Sequence, residues 1–262
     1  LLHRAPPDHE RRGELVASAA YFTARAGSYA HVFDPATGFF IGRDGRGRFR
    51  KTPETYDPRV WGFDYTETNG WGTAFSVPHD GAGLAALHGG RAALADRLEQ
   101  FFAVPERGDD RIRGSYPIVI HEMVEARNLR AGQWAPSNQP AHHIPFMALF
   151  AGRPDLAQHA VRTAVERMFT GGEIGQGWPG DEDNGEMAAW WVFAALGLYP
   201  LVPATAGYVI VAPAVPEARV RLGDDAWLVI RAPGASRSRR FVRSVLLDGQ
   251  PWTSAFLPHE RI

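Results

Sequence analysis

The sequence predicts a mainly α fold that ends in a small β module, and three observations lead there. Up to about Pro203, apolar residues recur at helical spacing. After it they gather in short runs between turn signals. Long Gly-, Pro- and Asp-rich loops at 34–62, 104–116 and 171–184 separate the helical runs; loops of that length are usually functional or disordered. The expected division is therefore 1–203 for the helical part and 204–262 for the β segment.

Residues 14–32 carry Leu15, Ala19, Phe22, Ala26 and Tyr29, a stripe with the period of an α-helix. Residues 83–102 carry Leu84, Leu87, Leu94, Leu98 and Phe101, with an interruption at Gly89-Gly90. Residues 154–169 start with Pro, which suits a helix N-terminus, and run through Leu156, Ala160, Val161, Ala164, Val165 and Met168. Residues 186–198 are apolar on almost every side, so this helix is expected to be buried all round. Strands are expected at 208–211, 218–222, 227–231 and 240–247, and Asp248-Gly249 is a hairpin signal.

With 28 Lys+Arg against 29 Asp+Glu, the net charge is −1. Neither sign dominates, so no broad footprint for nucleic acid is visible. No run approaches the roughly 20 apolar residues of a membrane span. The absence of Cys excludes disulfides and thiolate chemistry. Eight Trp and ten His are many for 262 residues; Trp offers a flat apolar face and one donor, which suits a sugar ring and equally suits a core. No signal peptide is visible, and the ends read like interior sequence, so a piece of a longer polypeptide is expected.

Three segments concentrate polar chemistry. In Gly180-Asp181-Glu182-Asp183-Asn184-Gly185-Glu186, three successive carboxylates precede an apolar helix. Asp183 with Glu186 would form a capping box. Asp181 and Glu182 are left unexplained by that, and crowded carboxylates suggest a raised pKa, a bound cation, or both. An EF-hand reading fails because Val192 stands where the twelfth-position carboxylate should be. Glu67, in Tyr65-Thr66-Glu67-Thr68-Asn69-Gly70-Trp71, has aromatic and apolar neighbours, a setting that favours a protonated carboxyl; the alternative is a polar loop turning at Asn69-Gly70. His79-Asp80 reads equally as a helix cap. In Ser137-Asn138-Gln139-Pro140-Ala141-His142-His143, adjacent histidines are poor zinc spacing, whereas Asn138 and Gln139 offer neutral oxygens for calcium or sugar hydroxyls.

These segments, with Val77-Pro78-His79-Asp80 and Gly197-Leu198-Tyr199-Pro200, occur in the order found in family 92 glycoside hydrolases, the calcium-dependent exo-α-mannosidases, which the chain resembles from about Phe33 onward. The resemblance implies the later part of an (α/α)₆ barrel with a terminal β segment, and an N-terminal β-sandwich of the same polypeptide as a missing partner. It implies inverting hydrolysis of terminal α-linked mannose from glycans. Glu67 falls on the acid position and Asp181 and Asp183 on the base position. Asn69, Trp71, His142, His143 and Trp190 are implied as substrate contacts, and Asn138 and Gln139 as Ca²⁺ ligands. A secreted, periplasmic or bacterial cell-surface location is implied as well. Gln139 departs from the family's Glu, and Ala141 and Ala188 replace serines. If position 139 were the acid, a leaving group stable without protonation, as in a mannosyl phosphate, would be the natural substrate; since Glu67 is retained, a ligand role for Gln139 is favoured. The competing readings are a non-catalytic or inactive carbohydrate-binding fragment and an unrelated (α/α) barrel glycosidase acting on glucosides without calcium.

Overall fold

The computed structural model describes Pro6 and residues 8–169 and 177–262. Residues 171–176 of the long loop expected before the acidic segment lie outside the described residues. The chain forms two compact units that divide between Tyr56 and Asp57.

In the first unit, α1 (Arg12–Ala26) tightens into a 3₁₀ segment, Gly27–Val32. Strand β1 (Phe33–Asp34) pairs antiparallel with β2 (Phe39–Phe40). Asp34 fixes the turn between them by accepting from the Ala36 N–H at 3.1 Å and, through its carbonyl, from Gly38 at 2.8 Å. The helix expected at 14–32 forms, but its stripe does not become a core: no residue of α1 is buried, and Phe22 is 66% exposed. Helical periodicity specifies which side chains share a face, and it leaves open what covers that face.

The second unit opens with α2 (Gly70–Thr73), α3 (Gly81–Leu87) and α4 (Arg91–Ala103). Asn69 caps α2 by accepting from Gly72 N at 3.0 Å, and Asp80 caps α3 by accepting from Gly83 N at 2.8 Å. Gly89 and Gly90, both at positive φ, separate α3 from α4. Next come α5 (His121–Leu129), α6 (Ile144–Met147), α7 (Pro154–Arg167) and α8 (Glu186–Leu196). Phe75, Phe101, Phe102, Trp134, Trp190 and Phe169 form a chain of ring contacts with centroids 5.0–6.2 Å apart. Each such pair adds roughly 0.5–1.5 kcal/mol beyond its buried area. The relay ties α4 and α8 to the segment that follows α5.

Helix α8 departs from expectation. It buries Met187, Trp190, Ala194 and Ala195, while Trp191 and Val192 remain exposed. An all-round apolar composition allows burial on every side, but only one side meets other described residues.

The β segment holds β3 (Leu198–Tyr199), β4 (Gly207–Ile210), β5 (Glu217–Arg221), β6 (Trp227–Arg231), β7 (Val245–Leu247), β8 (Gln250–Trp252) and β9 (Phe256–Pro258). Strand β4 lies between β3 and β9, and β5–β6 and β7–β8 are separate antiparallel pairs. The first sheet crosses the expected 203/204 boundary, because Leu198 and Tyr199 pair with Ile210 and Val209. The Asp248-Gly249 turn joins β7 to β8 with Leu247 opposite Gln250, both turn residues at positive φ as a two-residue hairpin requires. The strand expected at 240–247 shrinks to its last three residues.

Candidate active site

Glu67 rides on a loop closed by the Trp61–Asn69 bridge and by the bond from Gly62 N to Thr68 O, 3.1 Å. Its backbone N–H donates to the Tyr116 Oη at 2.7 Å, and its φ is +54°. The side chain is exposed, so the apolar setting expected from its sequence neighbours is absent. Those neighbours turn elsewhere: Trp61 and Trp71 go into the core, and Phe63 is exposed on the same loop.

Asn138 and Gln139 connect Glu67 to the acidic segment. The Asn138 amide donates to the Glu67 carbonyl at 2.9 Å and to Glu67 Oε2 at 3.3 Å. Gln139 donates through Nε2 to Asp183 Oδ2. Two consecutive side chains thus reach carboxylates remote from each other in sequence. Asn138 is buried, and its Oδ1 accepts from Gln139 N at 3.0 Å, which fixes the start of a 3₁₀ turn (Gln139–Ala141).

The acidic segment is ordered by its own geometry. Glu182, rather than Asp183, caps α8: its carboxylate accepts from Gly185 N and, at 3.2 Å, from Ala188 N. Asp183, Asn184 and Gly185 all have positive φ, which turns the Asp183 side chain out to Gln139. Gly180 has φ +64°, and a Cβ there would stand 2.8 Å from Ser137 O. Only glycine permits both that backbone angle and that approach.

A second acidic group stands at the start of α5. His121 lies 3.3 Å from Glu125, 3.4 Å from Glu122 and 3.8 Å from Asp181, whose side chain is 82% exposed. Burial lowers the His121 pKa, but the hydrogen bond to Glu125 and the charges of Glu122, Glu125 and Asp181 outweigh it and leave the group above its usual value. Glu122 is only 9% exposed, and its Oε2 has no hydrogen-bond partner among the described residues. Burial raises its pKa, and the nearby charges of Glu125 and Glu67 push the same way, against its own N–H and His121.

Of the remaining expected contacts, Asn69, Trp71, His142 and Trp190 are buried and His143 is half-buried. Asn69 is buried, with its amide on Gln133 Oε1 at 2.9 Å and its oxygen on α2. Trp71 packs against Phe101. His142 bonds Pro136 O at 3.1 Å, His143 bonds Phe75 O at 2.9 Å, and Trp190 donates to His142 O at 3.1 Å. Burial lowers the pKa of both histidines, that of His142 to about 4.

The glycosyl hydrolase family 92 catalytic domain matches residues 10–262. The chain belongs to glycosyl hydrolase family 92. It is 26% identical to the family GH92 α-mannosidase BT3965 of Bacteroides thetaiotaomicron over 96% of this chain, with a TM-score of 0.79. It is 32% identical to the family GH92 inverting mannosidase BT2199 of the same organism, again over 96% of this chain, with a TM-score of 0.77. An uncharacterized secreted glycosidase of Arthroderma benhamiae is 25% identical over 74% of the chain. The chain spans 30% and 34% of those two solved chains and 22% of the fungal protein. Its helix-rich architecture with small sheets matches part of those GH92 relatives, whose catalytic domain is an (α/α)₆ barrel, as expected.

Sequence reasoning passed over His121, Glu122 and Glu125. The signal available was an i, i+4 His–Glu pair near the start of a short helix, but no apolar run marked that helix.

Proposed function

We propose that this chain is the catalytic portion of an exported glycosidase that removes terminal α-linked mannose from glycans with inversion. The observation that carries this is the Asn138–Gln139 bridge, which holds Glu67 and Asp183 on either side of one short segment. An inverting glycosidase needs an acid and a base about 6.5–9.5 Å apart, with room for one water. Neighbouring Cα atoms lie about 3.8 Å apart, and two amide side chains reaching apart from them suit a gap of that order.

In this reading Asn138 engages Glu67 Oε2 and leaves Oε1 to deliver a proton to the glycosidic oxygen as the C1–O bond breaks. Gln139 engages Asp183 Oδ2 and leaves Oδ1 to take a proton from the water whose oxygen bonds to C1 from the opposite face. The proton lost by Glu67 goes to the leaving alcohol and Asp183 gains one, and exchange with solvent resets both. Asp181, beside His121, orders the water side of the site. Asn69, Trp71, His142, His143 and Trp190 serve as the framework under these loops.

The donors around Gln139 are oxygens, the class that Ca²⁺ takes. Among the described residues no group of three or more His, Cys, Asp or Glu forms a ready metal cage, so Asn138 and Gln139 would hold the ion through amide oxygens, with water and sugar hydroxyls completing its shell. Bound there, Ca²⁺ would polarise and orient adjacent sugar hydroxyls.

The test is hydrolysis of α-linked mannobioses and of a mannosyl phosphate by the full-length protein, with and without Ca²⁺, with the released anomer followed by proton NMR. Initial release of β-mannose, lost on chelation and restored by Ca²⁺, is the expected result. No turnover of any α-mannoside would defeat the proposal and favour the non-catalytic reading.

A further inference from the structure

Helix α5 carries its acidic group at one end and leaves Arg130 at the other. Arg130 sits in the left-handed region at φ 58°, and its side chain has no hydrogen bond or ion pair among the described residues. Arg130 lines a cavity of about 340 Å³ with Phe102, His159, Glu166, Arg167 and Arg240. A volume above about 300 Å³ is that of a small-molecule site.

Among the described residues the charges here do not balance. Among the described residues Glu166 is the one carboxylate on the cavity wall, and both its oxygens are taken: Oε1 by Arg162 Nη2 at 3.0 Å and Oε2 by Arg240 Nη2 at 2.6 Å. Arg162 is 3% exposed and is also pinned to Pro213 O at 2.7 Å and Ser236 O at 3.2 Å. Glu166 is therefore satisfied from within the fold, and no carboxylate of the described residues pairs with Arg130 or Arg167. Among the described residues the Arg167 side chain has one bond, Nη1 to Leu129 O at 3.1 Å. The segment that supplies Arg240 adds no compensation: residues 226–247 hold Arg231, Arg237, Arg239, Arg240 and Arg243 and no Asp or Glu. Guanidinium groups around a cavity match the oxygens of a tetrahedral anion, which they bind through paired, charge-assisted bonds.

We propose that this cavity is a second site, for a phosphate-class oxyanion, separate from the glycosidase site. The nine residues of α5, at 1.5 Å each, put about 13 Å between the two ends of the helix. The ligand would be either free phosphate or a phosphate carried on a glycan.

The experiment is isothermal titration of the full-length protein at low salt with inorganic phosphate and, separately, with glucose 6-phosphate, using wild type, Arg130→Gln and Arg167→Gln. Saturable binding that weakens at least about tenfold in each variant is expected. Turnover of a neutral α-mannoside and the thermal midpoint of Arg130→Gln should stay unchanged. Tighter binding of glucose 6-phosphate would assign a glycan phosphate, and binding of inorganic phosphate alone would assign the free anion. The absence of saturable binding, or binding indifferent to both substitutions, overturns the site. These readouts need no turnover, so they stand or fall apart from the mannosidase reading.

Discussion

Glu67 and Asp183 share an uncommon backbone state, with φ of +54° and +53°. A non-glycine residue in that region costs roughly 1–2 kcal/mol, and strain of this kind collects at functional sites where neighbours enforce it. Tyr116 and Asn138 hold Glu67, and Gln139 holds Asp183. Two substitutions separate strain from chemistry at Asp183. Asp183→Asn should lower kcat by about 10²–10⁴-fold, the range for a lost general base, with the fold intact by circular dichroism. Asp183→Gly should abolish turnover equally while leaving the melting temperature unchanged or higher, since glycine meets that φ without penalty. Near-normal turnover in either variant would remove the assigned base. Glu122 supplies a pH prediction. Its folded pKa lies above the usual carboxylate value, so its contribution to stability is present at pH below about 4.3 and is lost as pH rises through the folded value. Glu122→Gln removes that titration, so the stability of the variant relative to wild type should rise between pH 4 and pH 7 in denaturant titrations. A constant difference would contradict the burial argument. Glu67 and Asp183, the proposed acid and base, could be singled out in sequence because they stand in dense polar segments beside Gly and Trp. Glu122 was not, because burial by tertiary contacts gave it its character and a short polar helix does not advertise them.

At the level of elements, the acidic segment works because α8 is capped from inside the loop. Glu182 gives both carboxylate oxygens to the first N–H groups of the helix, which frees Asp183 from the capping role that its spacing to Glu186 suggested. Loss of a cap costs about 1 kcal/mol. Glu182→Ala should therefore lower stability by that amount in chemical denaturation and also raise KM or lower kcat, because the loop that aims Asp183 loses its anchor; an activity identical to wild type would show that the loop is held by other means. Legibility at this scale followed local chemistry. The Asp248-Gly249 hairpin and the Asp80 cap were readable because the turn and the cap are made by the residues themselves. The strand expected at 240–247 was mostly absent because its first residues serve other contacts: Arg240 bonds Glu166, and Val242 N donates to Gln158 at 2.6 Å.

Across the whole chain, apolar pattern and actual burial diverge wherever a helix lacks a covering surface, as on α1 and on the Trp191–Val192 side of α8. Where the core does close, it encloses His142 and half-buries His143. His142, 5% exposed, and His143 each give a ring nitrogen to a backbone carbonyl and have depressed pKa values. The fold thus accepts these rings neutral, and the unfolded chain protonates them near pH 6.5. The sign follows directly. The stability they secure is complete above about pH 6.5 and drains away as pH falls toward about 4, where His142 becomes charged in the folded state as well. At about 1.4 kcal/mol per pKa unit, His142 alone accounts for a few kcal/mol over that range. Melting temperatures measured from pH 7 to pH 4 should fall steeply. His142→Gln, whose amide can still donate to Pro136 O, should melt lower at pH 7 because ring packing against Trp190 is lost, yet show a shallower slope with pH. Parallel slopes for the variant and wild type would place the acid sensitivity in other groups, leaving His142 as packing alone.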